Sequence, residues 1–143
     1  SYNSRLDSIQ AVVAKHLIEN KLEKITKKRI ENAHYYDELL AEIPQVKILK
    51  RDKNFKEVFH LYVLTVENRK ELSLFLQSKE IDAKIHYPIP MHLQPAAKKY
   101  NYDNNDFPTA EKLAEQTISL PVHEFITKDQ IQFVANSIKD FFN

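Results

Sequence analysis

The chain has 143 residues, 43% of them apolar and 29% charged, which is the usage of one ordinary globular domain with a single core. With 21 Lys and Arg against 20 Asp and Glu, the net charge is +1, so no overall field recruits nucleic acid or an anionic membrane. Cysteine is absent, which excludes disulfides, thiolate metal sites and a thiol nucleophile; glycine is absent too, which excludes glycine-rich phosphate loops and nucleophile elbows within these residues. No apolar run approaches the roughly 18 residues that span a bilayer. Arg5 and Asp7 open a helix rather than a secretory segment, so cytoplasmic residence is the expectation. At average usage, glycine would occur about ten times. Its absence, and a start at Ser1 instead of Met, lead us to expect part of a longer protein.

In chain order, Ser4 and Asp7 fit a capping box, followed by Leu6, Ile9, Val13 and Leu17 at helical spacing. Asn20 marks a break or kink, and Leu22, Ile25, Ala33, Tyr36 and Leu40 continue the stripe up to Pro44. The spacing predicts one long, bent helix or two nearly continuous ones over 5–42. Alternation at Val46–Lys50 and the β-branched, aromatic run Val58–Val66 predict an antiparallel hairpin around the polar stretch Arg51–Lys56. The run is apolar on both faces, so both should be covered, one of them by a domain outside the chain.

Residues 69–79 predict an amphipathic helix with Leu72, Leu74 and Phe75 inward, leading to a strand at 82–86. A short helix is expected from Gln94 to Tyr100, then a polar loop and a helix begun by Pro108 and ending near Gln116. Ile118–Leu120 reads as a short strand closed by Pro121, and Thr127 as the cap of a last helix. Together these predict a single α/β domain over 1–143, with helices outside a small, mostly antiparallel sheet.

The segment Lys84–Ala96 carries the most functional information. Pro88 and Pro90 stop the strand and stiffen a loop displaying His86, Tyr87, His92 and Gln94. Rigid backbone loaded with hydrogen-bonding groups is suited to holding a ligand. On general grounds Tyr87 is equally a packing aromatic and His86 a satisfied core histidine. His92 and Gln94 are weaker candidates. The spacing of His86 and His92 matches no standard metal pair, and no carboxylate accompanies them in the loop. The basic cluster Lys21, Lys24, Lys27, Lys28 and Arg29 is interleaved with Glu19, Glu23 and Glu31, as on a solvated helix face, which argues against nucleic acid. His60 and Tyr62 read as core, Phe107 and Leu113 as packing, and Ser119 as strand-end hydrogen bonding.

Three motifs, in order, resemble the C-terminal domain of sugar-nucleotide aminotransferases of the DegT type. They are Tyr2-Asn3-Ser4-Arg5-Leu6 with Ile9-Gln10-Ala11, the loop His86-Tyr87-Pro88-Ile89-Pro90 through Ala96, and Phe107–Ala114 followed by Ile118-Ser119-Leu120-Pro121. The likeness covers essentially the whole chain. It implies the small domain of a fold-type I enzyme that uses pyridoxal 5'-phosphate (PLP). It also implies a large domain, absent from these residues, that holds the Schiff-base lysine, so no lysine here takes that role and the chain alone is expected to be inactive.

By the same resemblance, Asn3 reaches the cofactor phosphate of a neighbouring subunit in a homodimer with shared active sites. An amide just ahead of a helix N-terminus suits that anion, although helix capping explains Asn3 as well. Arg5, His86, Tyr87 and His92 are the implied substrate contacts; Arg5 pairing with a surface carboxylate is the plainer alternative. The amino donor is glutamate and the acceptor a nucleotide-linked keto sugar, the wording of the proline loop being most similar to members acting on 3-keto sugars. A non-catalytic regulatory or ligand-binding module sharing the fold, and a purely structural dimerisation piece, are the competing readings.

Overall fold

The computed structural model describes residues 6–143. Two helices open it, α1 (Ser8–Asn20) and α2 (Leu22–Leu40), parted at Lys21, whose φ of −132° is not helical. Of the two readings of this stretch, two nearly continuous helices is the one the structure has. Asn20 sits at the break with its side-chain amide donating to the His16 carbonyl at 2.9 Å. Asp7, expected inside the first turn, is instead the N-cap of α1, and its carboxylate accepts from Gln10 N at 2.8 Å. The expected cap, Ser4, lies outside the described residues. No residue of α1 is buried, and its apolar stripe of Ile9, Val13 and Leu17 faces outward. Burial begins in α2 at Asn32, Ala33, Tyr36 and Leu40.

The sheet has three antiparallel strands in the order β1 (Val46–Ile48), β2 (Tyr62–Val66) and β3 (Thr117–Leu120). Registers Val46↔Val66, Leu64↔Ile118 and Tyr62↔Leu120 put one set of alternating apolar side chains on a common face. That face is the core. It packs against Tyr36 and Leu40 of α2, Leu72 and Leu76 of α3 (Arg69–Ser78), and Ile131, Val134 and Ile138 of α5 (Lys128–Phe142). The helix α5 starts at the expected Thr127 with a full capping box: Gln130 N donates to Thr127 Oγ1 and Thr127 N to Gln130 Oε1. The fold is thus α+β, a small antiparallel sheet with flanking helices.

Three local expectations need correcting. The strand expected over Val58–Val66 begins only at Tyr62, because Phe59 turns the backbone to φ +48° and Arg29 donates to the carbonyls of Phe59 and His60 at 3.3 and 3.2 Å. The strand expected at 82–86 is reduced to a single bridge, Lys84 N to Ser119 O at 2.9 Å and Ser119 N to Lys84 O at 2.8 Å; beyond it the prolines supply no donors. In α3, Leu76 rather than Leu74 faces the core with Leu72, and Leu74 is exposed. The segment after the proline loop forms two 3-10 turns, Met91–Leu93 and Pro95–Tyr100.

With no glycine, the left-handed turns fall to other residues: Asn68, Asn101 and Asn105, which tolerate that region, and Phe59 and Glu80, which do so at a cost. Among the described residues no helix is long and apolar enough to cross a membrane.

Candidate functional site

Opposite the core, the proline loop and the helix α4 (Pro108–Gln116) wall a cleft of about 610 Å³. Pro108 starts α4 as expected, since its fixed φ suits the first helical turn and its missing N–H is not needed there. At the other end the chain passes directly into β3, and Arg69 of α3 donates to the carbonyls of Glu115 and Ala114 at 2.7 and 3.1 Å. A cation on the last-turn carbonyls satisfies acceptors that the helix leaves open. The α4 wall is thereby fixed to the body.

The loop wall is fixed by two histidines. His86 lies two residues past the Lys84 bridge, and its Nδ1 is 3.1 Å from Oγ of Ser119, a β3 residue only 4% exposed. His92 reaches across to α4, its Nε2 3.1 Å from Glu111 Oε1. Glu111 also accepts from the backbone N–H of Asn105 at 2.8 Å and of Phe107 at 3.3 Å. The Asn105 donor first, then those of Phe107 and His92, hold the Glu111 carboxyl below the ordinary carboxylate value. One carboxylate therefore ties the proline loop, the polar loop and α4 together.

Tyr87 projects outward at 72% exposure with its ring edge-on to His86 at 5.9 Å. The cleft floor and far side are aromatic: His92 and Phe107 lie 4.8 Å apart, Tyr102 and Phe107 5.2 Å, Tyr100 and Tyr102 6.3 Å. Gln94 bonds back to the Ile89 carbonyl at 3.4 Å.

All four loop residues singled out from the sequence, His86, Tyr87, His92 and Gln94, line this one cleft. Their situations differ. Tyr87 is free to meet a ligand, His86 is anchored on one side and open on the other, and the His92 ring is a nearly buried strut. Asn3 and Arg5 lie outside the described residues. Phe107 and Leu113, read as packing, are half exposed and line the cleft. The sequence reading passed over Tyr100, Tyr102 and Glu111. An acid in the first turn after Pro108 was a readable sign for Glu111; Tyr100 ends a 3-10 turn and Tyr102 sits in the polar loop after it, with no periodicity to mark either.

An antiparallel sheet with helices packed on one face and a stiff loop beside an aromatic cleft on the other defines a small α+β domain. The sequence profile of the DegT/DnrJ/EryC1/StrS aminotransferase family matches residues 1–139, and the chain belongs to that family. It is 33% identical over 143 residues to a pleiotropic regulatory protein of Geobacillus stearothermophilus, covering 99% of this chain and 38% of that protein. It is 31% identical to the dTDP-3-amino-3,4,6-trideoxy-alpha-D-glucose transaminase of Streptomyces venezuelae, covering 97% of this chain and 36% of the relative. Among solved structures, S. venezuelae DesV in complex with a ketimine intermediate superposes with a TM-score of 0.93 at 30% identity, over 100% of this chain and 38% of that one. The chain thus spans less than two-fifths of the relatives it matches.

The cofactor that the family implies is PLP. The cleft does not fit it as a complete site: among the described residues no Lys, Arg, Asp or Glu side chain lines it, so these residues offer neither a Schiff-base amine nor a carboxylate partner for a pyridinium nitrogen. What it offers is aromatic surface with imidazole, phenol and amide hydrogen-bonding groups.

Proposed function

We propose that this chain is the C-terminal, substrate-positioning domain of a PLP-dependent aminotransferase that moves an amino group from glutamate to a nucleotide-linked 3-keto sugar. The observation that supports this reading most is the cleft itself, where a tethered imidazole and an outward phenol stand at the rim of an aromatic wall. Sugars and nucleotides combine apolar faces with a ring of polar oxygens, and such a surface suits both. In this reading Asn3 contacts the cofactor phosphate of a partner subunit, Arg5, His86 and Tyr87 contact the substrate, and the lysine and carboxylate that serve the cofactor belong to the rest of the polypeptide. His92 acts at one remove, holding the loop through Glu111. The assembly is a homodimer with shared sites. Holding the ketone in a productive pose is a large share of such catalysis, so lost contacts cost rate and affinity together.

The test uses the complete natural polypeptide, assayed for 2-oxoglutarate release from glutamate in the presence of dTDP- or UDP-linked 3-keto sugars. Tyr87→Phe and His86→Ala should each raise KM about tenfold, the worth of one good hydrogen bond. Wild-type KM in both variants would sink the reading and leave a structural dimerisation piece. A second reading, a regulatory module without catalysis, is favoured by the name of the Geobacillus stearothermophilus relative. It requires that the complete polypeptide form no 2-oxoglutarate with any such sugar.

A further inference from the structure

The bond between His86 and Ser119 has a direction that the surroundings decide. Ser119 is held by its backbone on both edges, to Lys84 through two hydrogen bonds and to Val63 of β2 by register, so its side chain has little freedom of position. Its hydroxyl is buried, and His86 Nδ1, at 3.1 Å, is the one side-chain partner it finds among the described residues. A buried hydroxyl proton must be accepted by something. If Nδ1 carried the ring proton and donated to Oγ, the hydroxyl proton would be left without an acceptor. If the hydroxyl donates to Nδ1, both groups are satisfied, and the neutral ring carries its proton on Nε2. Nε2 has no partner among the described residues, and the ring lines the cleft.

We infer that Ser119 is a positioning residue: it donates to His86 Nδ1, fixes the Nε2–H form of the imidazole and so makes His86 a hydrogen-bond donor directed at an acceptor oxygen of the ligand in the cleft. This rests on the reading of the cleft as a substrate site and deepens it. The chemistry selected is an oxygen acceptor, as a sugar carbonyl or a diphosphate provides, over a hydroxyl or amine that needs an acceptor from the protein. Ser119 itself touches no ligand. Its effect passes entirely through the tautomer and orientation of the ring.

Long-range proton–nitrogen NMR of the complete polypeptide, labelled at histidine nitrogen and held above the ordinary histidine pKa of about 6.5, reads the tautomer directly. The wild type should show His86 protonated at Nε2. Ser119→Ala should shift His86 toward a mixture of both forms, and Ser119→Thr, which keeps the hydroxyl, should restore the wild-type pattern. A merely structural Ser119 would leave the tautomer unmoved in all three proteins. Titration with UDP and dTDP accompanies the spectra, and Ser119→Ala should bind about tenfold more weakly than Ser119→Thr.

An Nδ1–H tautomer in the wild type, or an unchanged Nε2–H tautomer in Ser119→Ala, overturns the inference. A tautomer that responds to Ser119→Ala while His86→Ala binds both nucleotides normally supports the hold of Ser119 on the ring. It removes instead the reading of His86 as a substrate contact, so the two failures are told apart.

Discussion

Two carboxylates organise this molecule, and they do opposite things with similar partners. On the core side, Asp37 of α2 accepts from Tyr62 OH at 2.8 Å and pairs with Arg51, whose guanidinium also lies over the Phe59 ring at 4.9 Å and reaches Glu57 at 3.2 Å. On the cleft side, Glu111 of α4 gathers His92 and two backbone amides beside the Phe107 ring. Each pins a long loop to a helix beside an aromatic ring. Asp37 closes its loop down onto the sheet, and Tyr62 and Phe59 become core. Glu111 ties its loop to α4 instead, and Phe107, Tyr102 and Tyr100 remain exposed along the cleft. A single anchoring device therefore serves stability in one place and presentation in the other, depending on which side of the carboxylate the rings fall.

The comparison breaks most visibly at Asp37. In Asp37→Ala, Tyr62 OH loses its acceptor and Arg51 its main counter-ion within a half-buried setting. The expected cost is about 2 kcal/mol of unfolding free energy by urea titration, the value of a charged hydrogen bond discounted for partial exposure. A loss as small as that of an ordinary surface substitution would mean that the loop over 49–61 is held by Arg29 alone.

Glu111→Gln tests the other member, with a smaller effect and a pH signature. The folded-state pKa of Glu111 lies below its ordinary value, so the ionised carboxylate stabilises the fold above about pH 4.5, and this contribution disappears as pH falls from there through the depressed folded value. Wild type should lose stability over that acid window, whereas Glu111→Gln should lack this part of the dependence and be weaker than wild type near neutrality. Amide hydrogen exchange at Asn105 and Phe107 should quicken in the variant while exchange in β2 does not change. If β2 loosens as well, the cleft loop and the core are one cooperative unit and the contrast with Asp37 fails.

The difference between the two sites also sets what could be read from sequence. Elements with a period were legible: the α2 stripe Ala33, Tyr36 and Leu40, the alternation that pairs β1 with β2, Pro108 at a helix start and Thr127 at a cap all stand where the spacing put them. The proline loop was legible because Pro88 and Pro90 restrict backbone geometry by themselves. What escaped depends on contacts distant in sequence. Arg29 reaches 30 residues on to the Phe59 carbonyl and so shortens β2, and no local pattern at Val58 announces that. Helix ends were hard to see for another reason. Glycine marks most left-handed stops, and here Glu80 occupies one: Ile81 N bonds to Leu76 O at 2.9 Å and Glu80 N to Gln77 O at 3.0 Å, a complete Schellman cap on a residue that seldom forms one. The aromatic wall of the cleft was missed because Tyr100, Tyr102, Phe107 and His92 meet ring to ring only in the folded chain, where Glu111 holds His92 and the Phe107 amide.

The smallest expected effect marks where the Asp37 cluster ends. Tyr36 stacks on Tyr62 at 4.9 Å and is wholly buried, yet its hydroxyl has no hydrogen-bond partner among the described residues. Burial pushes its pKa well up, so it remains a neutral phenol whose hydroxyl was stripped of water without compensation. Tyr36→Phe keeps the stacked ring and removes the uncompensated group, so stability should hold or rise, by up to about 1 kcal/mol. The matching change one ring away, Tyr62→Phe, deprives Asp37 of a donor and should cost about 1.5 kcal/mol. Opposite signs for two neighbouring tyrosines would place the boundary of the anchoring cluster between their rings. Equal losses would show that the Tyr36 hydroxyl has a partner in solution, and that the Asp37 side is a wider polar network rather than a carboxylate closing an apolar core.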